Sequence, residues 1–569
     1  MTIRQGKVVA IRNLSFATVL MIIATTAWSA DVPSAGSQLR QVPAAPTQQT
    51  IAPEIQIERP PVAAPRADDT TIVVKVLRIA RAQRFSEQEL IAATKFKPGD
   101  ALTLTQLREI ASQVAAHYHE SGYFLAQATL PPQNVENGVV TITVLEGQYG
   151  NIVVRNQSRL SDGVANRLTE HLRSGETIEI ASLESGLLLL SDLPGVEIKS
   201  TLTPGASVGA ADLVIDVAPG NTVSGTVETD NFGNRYTGAY RLGGSVNLNN
   251  PAGWGDVASL RVLSSFDGFS YGRAAYQLQA GRTTLGLAYT ALEYELGEEF
   301  KSLEAHGTAK IVGLYARHPL LRRRAANLSV IANLESKQFR DEIEVVSPTI
   351  VTRKKTKVAM VSVVGDRKAR SDQNSRGSAS NFSITWTSGS LDLLDAQAVN
   401  AGAGTAIGGH YDKVSLSAAY LKPLSFGTKI SALSFYASIH GQWAADKLDS
   451  SEELSLGGAS GVRAFPEGEA SVDEGYVVTT EARVPFAIPK TGGSWELAAF
   501  GDLGTGNLSA DSLRGQRNRR TLSGVGLGLN WTRRDFYLRA SYAHKVGAAV
   551  TTSVPDSNSR FWINAVAFF

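Results

Sequence analysis

Eight histidines are the first place to look for metal or proton chemistry. His117 and His119 are the nearest two. A spacing of two on a helix turns them to different faces, whereas a one-face chelate needs a spacing of four. No H-E-x-x-H, G-x-x-x-x-G-K-S/T or G-x-S-x-G lies in a context that would hold zinc, phosphate or a nucleophile. There is no cysteine, which removes thiolate zinc sites, disulfide frameworks and a thiol nucleophile. Asp473-Glu474 is an acidic pair, but its glycine-rich surroundings read as a turn rather than a cleft. The runs Arg322-Arg323-Arg324 and Arg353-Lys354-Lys355 read as solvated loops or as the lining of a polar interior. With 55 basic and 53 acidic residues, the chain carries a formal charge of +2. That gives no support for a nucleic-acid binder, which would show a strong basic excess. The residues therefore predict no enzyme, no cofactor and no metal.

The elements that carry these residues begin with an address. Arg4, Lys7 and Arg12 precede an apolar, uncharged stretch from Leu14 to Ala27, and small residues follow at Ala27-Trp28-Ser29. This pattern predicts a secretory signal peptide over 1–30. The stretch is short of the ~20 residues that a membrane span needs. Residues 31–70 hold Pro33, Pro43, Pro46, Pro53, Pro60, Pro61 and Pro65. They read as an extended linker, because proline interrupts both helix and strand. Within it, Ala35 to Val42 is either a two-turn helix or an unstructured leader.

Two small α+β units follow, over 71–147 and 148–219. The first opens on a strand at 72–79. Ser86 with Glu89 reads as a capping box, and Thr103 opens a longer helix. Leu104, Leu107, Ala111, Val114, Ala115 and Tyr118 recur on one face of it, and Gly122 stops it. Tyr123 to Leu130 is expected as a strand, Asn137-Gly138 as a turn, and Val140, Ile142 and Val144 as alternating strand positions. The same order then recurs. Ile152 to Arg155 is a strand, Ser161 caps a helix, and Leu183, Leu187 and Leu190 mark a second. Strands follow at Val196 to Leu202 and Leu213 to Val217. One order repeated at a spacing of some 75 residues is a structural repeat.

From Thr222 the texture changes to alternating segments of about ten residues separated by Gly, Asn, Asp and Ser. Val525, Leu527, Leu529 and Trp531 share one face. So do Phe536, Leu538, Ala540 and Tyr542, and likewise Phe561, Ile563, Ala565, Ala567 and Phe569. Period two with turn signals is the signature of a transmembrane β-barrel. The mean hydropathy of −0.07 is too low for a bundle of membrane helices but fits a barrel, where lipid-facing and lumen-facing residues average out. Closure is required, since an open edge would leave backbone groups unpaired in lipid. At about 22 residues per strand and loop, residues 220–569 allow roughly fourteen to eighteen strands. A soluble sandwich is the alternative.

Several stretches resemble one family. Gly122-Tyr123-Phe124, Ala128-Thr129-Leu130-Pro131-Pro132-Gln133 and Val144-Leu145-Glu146-Gly147 are similar to the first POTRA domain of TpsB proteins. These are the outer-membrane transporters of two-partner secretion, of the hemolysin-activator/ShlB/FhaC/HecB type. Residues 230–238 and 249–256 resemble the family's first barrel hairpins. Residues 456–469, continuing through Asp473-Glu474-Gly475-Tyr476 to Glu481-Ala482-Arg483-Val484-Pro485, look like its sixth extracellular loop. The loop tip is Val462-Arg463-Ala464-Phe465, with Ala464 where the hallmark has Gly; Ala tolerates φ > 0 poorly. Phe500, Asp502 and Gly504 match the family's F-x-D-x-G barrel-wall motif.

The resemblance implies two periplasmic POTRA domains ahead of a sixteen-stranded barrel in the outer membrane of a Gram-negative bacterium. It implies a lumen lock between Arg463 and Asp502, a chemistry that suits an arginine fork and a carboxylate. It implies that the terminal Phe569 is presented to the barrel-assembly machinery. It also implies a function, secretion of an adhesin- or hemolysin-type TpsA exoprotein through a single-chain pore embedded in lipid. The second reading is a factor that assembles other barrels. A passive porin is third.

Overall fold

A computed structural model describes residues 32–47, 55–57, 70–345, 349–369, 377–394, 408–424, 433–489, 491–509 and 518–569. The expected signal peptide lies outside the described residues.

In the first α+β unit the stretch expected as one strand is two, Thr71–Val74 and Val76–Ala80. The break is at Lys75, whose N–H donates to the Gly138 carbonyl at 2.8 Å. Each half then joins its own sheet. Thr71–Val74 pairs with Asp100–Thr103, and Val76–Ala80 pairs in parallel with Val139–Leu145. Ser86 caps the helix Glu87–Ala92 through the Glu89 N–H. The Glu87 carboxylate accepts from the Ile79 N–H at 3.0 Å, and Glu89 reaches His117 at 3.5 Å instead of returning to the cap.

Thr103 and Gln106 form a reciprocal capping box on the helix Leu104–Glu120. Its buried stripe is Leu107, Ile110, Ala111, Val114 and Tyr118. Gly122 ends it at φ +95°. The strand expected from Tyr123 is shorter, Gln127–Thr129. Tyr123 to Ala126 form a turn instead, because the Tyr123 N–H is taken by the Tyr118 carbonyl and the Ala126 N–H by that of Tyr123. Asn137 and Gly138 both have positive φ, as a type I′ turn requires. Glu146 works as a staple. Its Oε1 accepts from the N–H groups of Gln83 and Arg84 and from the Tyr118 hydroxyl at 2.6–2.9 Å. Burial and this carboxylate push the Tyr118 hydroxyl pKa up.

The second unit packs the helices Asp162–Thr169 and Ile180–Ser191 on a sheet of Gln148–Asn156, Val196–Pro204 and Ala210–Pro219. Leu168, Leu183, Leu187, Leu190, Leu213 and Ile215 form its core. Leu187 is fully buried. Leu187→Ala should cost about 2–5 kcal/mol through lost transfer energy and a cavity. Protease sensitivity of this unit in a denaturant series on the full chain checks it.

From Val223 to Phe568 sixteen strands close an antiparallel barrel. The burial alternation assigns the faces. Leu527, Phe561 and Phe569 are more than half exposed on the outer wall, whereas Trp562 and Val566 are buried on the inner one. The strands are unequal. Those near the start have eight or nine residues, and Ala305–Arg322, Ala326–Ile343 and Ile350–Lys368 have 18, 18 and 19. The closing seam pairs only Thr226–Asp230 with Asn564–Phe568. Phe569 extends it, exchanging both backbone bonds with Gly225. A Cβ at residue 225 would stand 2.4 Å from the Phe569 ring.

The arginine run at 322–324 sits at a periplasmic turn, with Arg323 and Arg324 exposed and Arg322 and Arg324 lining the barrel mouth, and two of the three also make ion pairs. Arg322 grips Asp192 with two bonds of 2.6 Å, and Arg324 pairs with Glu184 at 3.1 Å. Both acids belong to or follow the helix Ile180–Ser191, so the run fastens the second unit to the barrel. The periplasmic turn 250–256 adds to this joint. The Ser161 N–H donates to the Gly253 carbonyl at 2.7 Å.

Candidate functional site

The segment 445–473, between the strands Ser434–Ala444 and Glu474–Phe486, folds back into the barrel. Leu456, Val462, Ala464 and Phe465 at its tip are fully buried against Val477, Phe500, Leu522 and Ala543 of the wall. Ala464 is not among the residues with positive φ, so its backbone does not need the glycine of the hallmark. Its methyl is accommodated by Gly524, where a Cβ would approach it to 2.6 Å.

Arg463 is the centre of the tip. Its Nε and Nη2 donate to the two oxygens of Asp502 at 2.9 and 2.8 Å, and its own N–H adds a third bond to Oδ2 at 3.1 Å. Nη1 donates to Glu481 at 2.8 Å. The guanidinium lies over the Phe500 ring, 3.3 Å from its centre, a cation–π contact. Trp562 Nε1 donates to the Arg463 carbonyl at 2.7 Å, and Thr479 donates to Asp502 at 2.9 Å. Gly504 sits against Val462 and Leu456. The geometry thus brings together Val462, Arg463, Ala464, Phe465, Phe500, Asp502 and Gly504. It leaves Phe569 on the outer wall, apart from them. Thr479 and Trp562 are partners that no motif announced, and Glu481, though within the family-like stretch, carried no assigned role. For Glu481 the available signal was its position two residues from Arg483, an acid and a base on one face of the strand.

A second anchor holds the loop's far side. Glu469 accepts from Arg520, from the N–H groups of Thr552 and Ser553, and from both of their hydroxyls. The acidic pair has a structural role as well: Asp473 accepts from the Leu448 N–H at 3.0 Å.

The linker segment adds a plug. The helix Ala35–Arg40 is one turn and a half rather than two, with Gln41 as its C-cap. Pro43 restrains Val42 from helical ψ, so the turn cannot continue. A helix this short does not hold in isolation. It is fixed by a Ser34–Ser37 capping box and by the lumen. Ala35 packs among Tyr236, Leu263, Phe269, Leu292, Tyr294 and Phe339. Its N–H donates to Asp341 at 2.7 Å. Two buried wall pairs turn outer donors of their arginines to the plug backbone. Arg241, paired with Asp230, donates to the Gln41 carbonyl at 3.0 Å, and Arg261, paired with Glu228, donates to that of Pro43 at 2.8 Å. Plug and loop also hold each other. Ser34 and Ser450 hydroxyls are 2.8 Å apart, and Arg40 donates to the Glu453 carbonyl and to Ser471. Under the loop, Lys337 and Lys413 clasp Glu452, and Lys354 binds Asp449. The middle residue of the basic run 353–355 is therefore lumen lining.

Below the plug a cavity of about 750 Å³ opens at the periplasmic mouth, between Thr47, the helix Ile180–Ser191 and the wall residues Arg317, Lys368 and Arg483. A last feature lies on the second periplasmic unit. The linker strand Ile55–Ile57 adds in parallel to the edge of Val196–Pro204, with Ile55 opposite Ser200 and Ile57 opposite Leu202.

Residues 209–531 match the family described as haemolysin secretion/activation protein ShlB/FhaC/HecB, and residues 72–147 match the ShlB-type POTRA domain. The chain belongs to the ShlB/FhaC/HecB family. It is 31% identical over 501 residues to the heme/hemopexin transporter protein HuxB of Haemophilus influenzae strain 86-028NP, covering 86% of this chain and 85% of that protein. The fold is similar to CdiB from Escherichia coli, with a TM-score of 0.66 at 21% identity over 90% of this chain and 93% of that one. It is also similar to BamA from Haemophilus ducreyi lacking POTRA domains 1–3, with a TM-score of 0.51 at 15% identity over 87% and 100%. As a family member the chain is an outer-membrane transporter of two-partner secretion, with its POTRA units in the periplasm, and it exports a partner protein. Membership favours this reading over that of a barrel-assembly factor. The family is one of secretion pores rather than of enzymes.

Proposed function

We propose that the exported partner, an adhesin- or hemolysin-type exoprotein arriving unfolded, docks by strand addition on the edge of Val196–Pro204. The observation that carries this is the linker strand Ile55–Ile57, which already occupies that edge in parallel register. An edge that accepts one extended segment through its backbone accepts others with little demand on sequence. The linker then competes with the partner. Because it runs on from the plug, displacing it loosens the plug from the lumen. The partner's chain enters through the cavity at the periplasmic mouth, passes a single barrel and folds outside, where folding supplies the drive. Val462, Arg463, Ala464 and Phe465, held by Phe500, Asp502 and Gly504, keep the loop against the wall while the plug is out. Phe569 serves as the signal to the assembly machinery.

Ile55→Asp tests the competition. Ile55 packs against the core of the second unit, and a charge there peels the linker from the edge. Freeing the edge raises the apparent affinity for the partner's N-terminal segment by the reciprocal of the fraction of time it stands open, about tenfold for an edge open one-tenth of the time. Calorimetry on the purified transporter reads it. An unchanged affinity means that docking occurs elsewhere.

A further inference from the structure

The three longest strands carry a feature that neither lock nor plug uses. On Ala305–Arg322, Ala326–Ile343 and Ile350–Lys368 the outward positions begin with an apolar stretch and then turn basic. Val312, Leu314, Leu334 and Val361 are exposed on the lipid side. Above them, on the same face, stand Lys310, Arg340, Arg353, Lys355 and Lys357. The pairing register gathers these five cations. Lys310 is opposite Gln338, which is opposite Lys355; Arg340 is opposite Arg353; Ser336 is opposite Lys357. Adjacent strands are about 4.8 Å apart and alternate residues about 7 Å, so the cluster is compact. Among the described residues Lys310, Lys355 and Lys357 form no ion pair, while Glu342 holds Arg340. The other acids on this face are Glu293, opposite Thr308, Glu295, opposite His306, Asp392, opposite Lys355, and Asp412, opposite Ser388, with Glu344 beside His306 just past the strand end.

Depth decides what such a cluster meets. The five cations lie eleven to fifteen residues from the periplasmic ends of their strands. At about 3.3 Å per residue and a tilt of roughly 45°, this is ~26–35 Å up. The apolar band of such barrels is about 25 Å tall. The cations therefore stand at the headgroup level of the outer leaflet. Directly beneath them the wall is furrowed. Small outward residues, Ser336, Ala359 and Ser388, lie beside the larger Val312, Leu314 and Leu334, and the resulting groove of about 520 Å³ runs up to Lys357 and His410.

We propose that this face binds a bisphosphorylated glycolipid of the outer leaflet, lipopolysaccharide, with its phosphates on the five cations and one acyl chain in the furrow. Charge, depth and groove coincide on one strip of wall. A lipid seated there buttresses the longest strands, opposite the short strands of the seam.

Native mass spectrometry of the full-length, delipidated protein tests this with three probes: bisphosphorylated lipid A, dephosphorylated lipid A and phosphatidylglycerol. Bisphosphorylated lipid A is expected to bind tightest. Each lysine near a charged surface contributes about 1 kcal/mol, so Lys310→Gln/Lys355→Gln/Lys357→Gln should weaken it roughly a hundredfold. Heat-modifiable migration checks that this variant is folded. Ala359→Trp fills the furrow with all charges kept, and it should also weaken binding. Equal affinity of the wild type for the two lipid A forms, or for phosphatidylglycerol and bisphosphorylated lipid A, overturns the proposal. So does an unchanged affinity in the folded triple variant. Unchanged affinity in Ala359→Trp overturns the acyl seat.

Discussion

Arg463→Ala is expected to collapse secretion while leaving the barrel in the membrane. The side chain uses three of its nitrogens on two carboxylates, and both acids are almost fully buried. Removing it strands Asp502 without a counter-charge and leaves Glu481 with Arg483 of its own strand. Breaking one partner of a buried pair costs about 3–5 kcal/mol, which loosens the tip from the wall although the Trp562 bond, the apolar cluster and the Glu469 anchor remain. Asp502→Ala should behave alike. The double variant should lose less than the sum of the two, since both remove one interaction. Arg463→Lys should rescue only in part, because an ammonium cannot fork onto Asp502 and reach Glu481 together. Secretion of the partner and protease access to residues 457–468 are the two readouts. Unaltered secretion with a protected loop would show that the lock is dispensable.

Covalent capture of the plug has the second large effect. The chain has no cysteine, so Ser34→Cys/Ser450→Cys introduces one possible disulfide. The two hydroxyl oxygens are 2.8 Å apart, close to the ~2.05 Å of an S–S bond. Oxidation joins the plug helix to a loop that Arg463 itself pins to the wall. Secretion should stop, and channel events in planar bilayers should fall to the closed baseline. Reduction should restore both. Full secretion in the oxidised state would mean that the partner passes with the plug in place. The capping box, the Asp341 bond and the two wall arginines hold the resting plug, so release requires a competitor such as the partner displacing Ile55–Ile57.

The two halves of the molecule were legible to different degrees. The helix Leu104–Glu120 was plain because an apolar stripe, a capping residue and a stopping glycine all agree. The outer wall at Val525, Leu527 and Phe561 was plain because lipid demands apolar side chains at period two. The strand expected at Tyr123 was not legible in that way. Its residues have strand character, but the helix end claims the Tyr123 N–H first. The arginine run 322–324 carried no local sign of its use, because Asp192 and Glu184 lie some 130 residues away.

The lumen marks the boundary most clearly. Residue types and family motifs pointed to Arg463 and Asp502, 39 positions apart, and to a barrel large enough to enclose them. They could not place Ala35–Arg40. A six-residue helix has too few bonds to declare itself in sequence, and its partners are a wall from Tyr236 to Phe339 and a loop more than 400 residues on. Local propensity and periodicity determined the elements, since those depend on neighbours within a few residues. Closure of the barrel decided which charges meet inside it, since only the closed wall brings together groups that the chain keeps far apart.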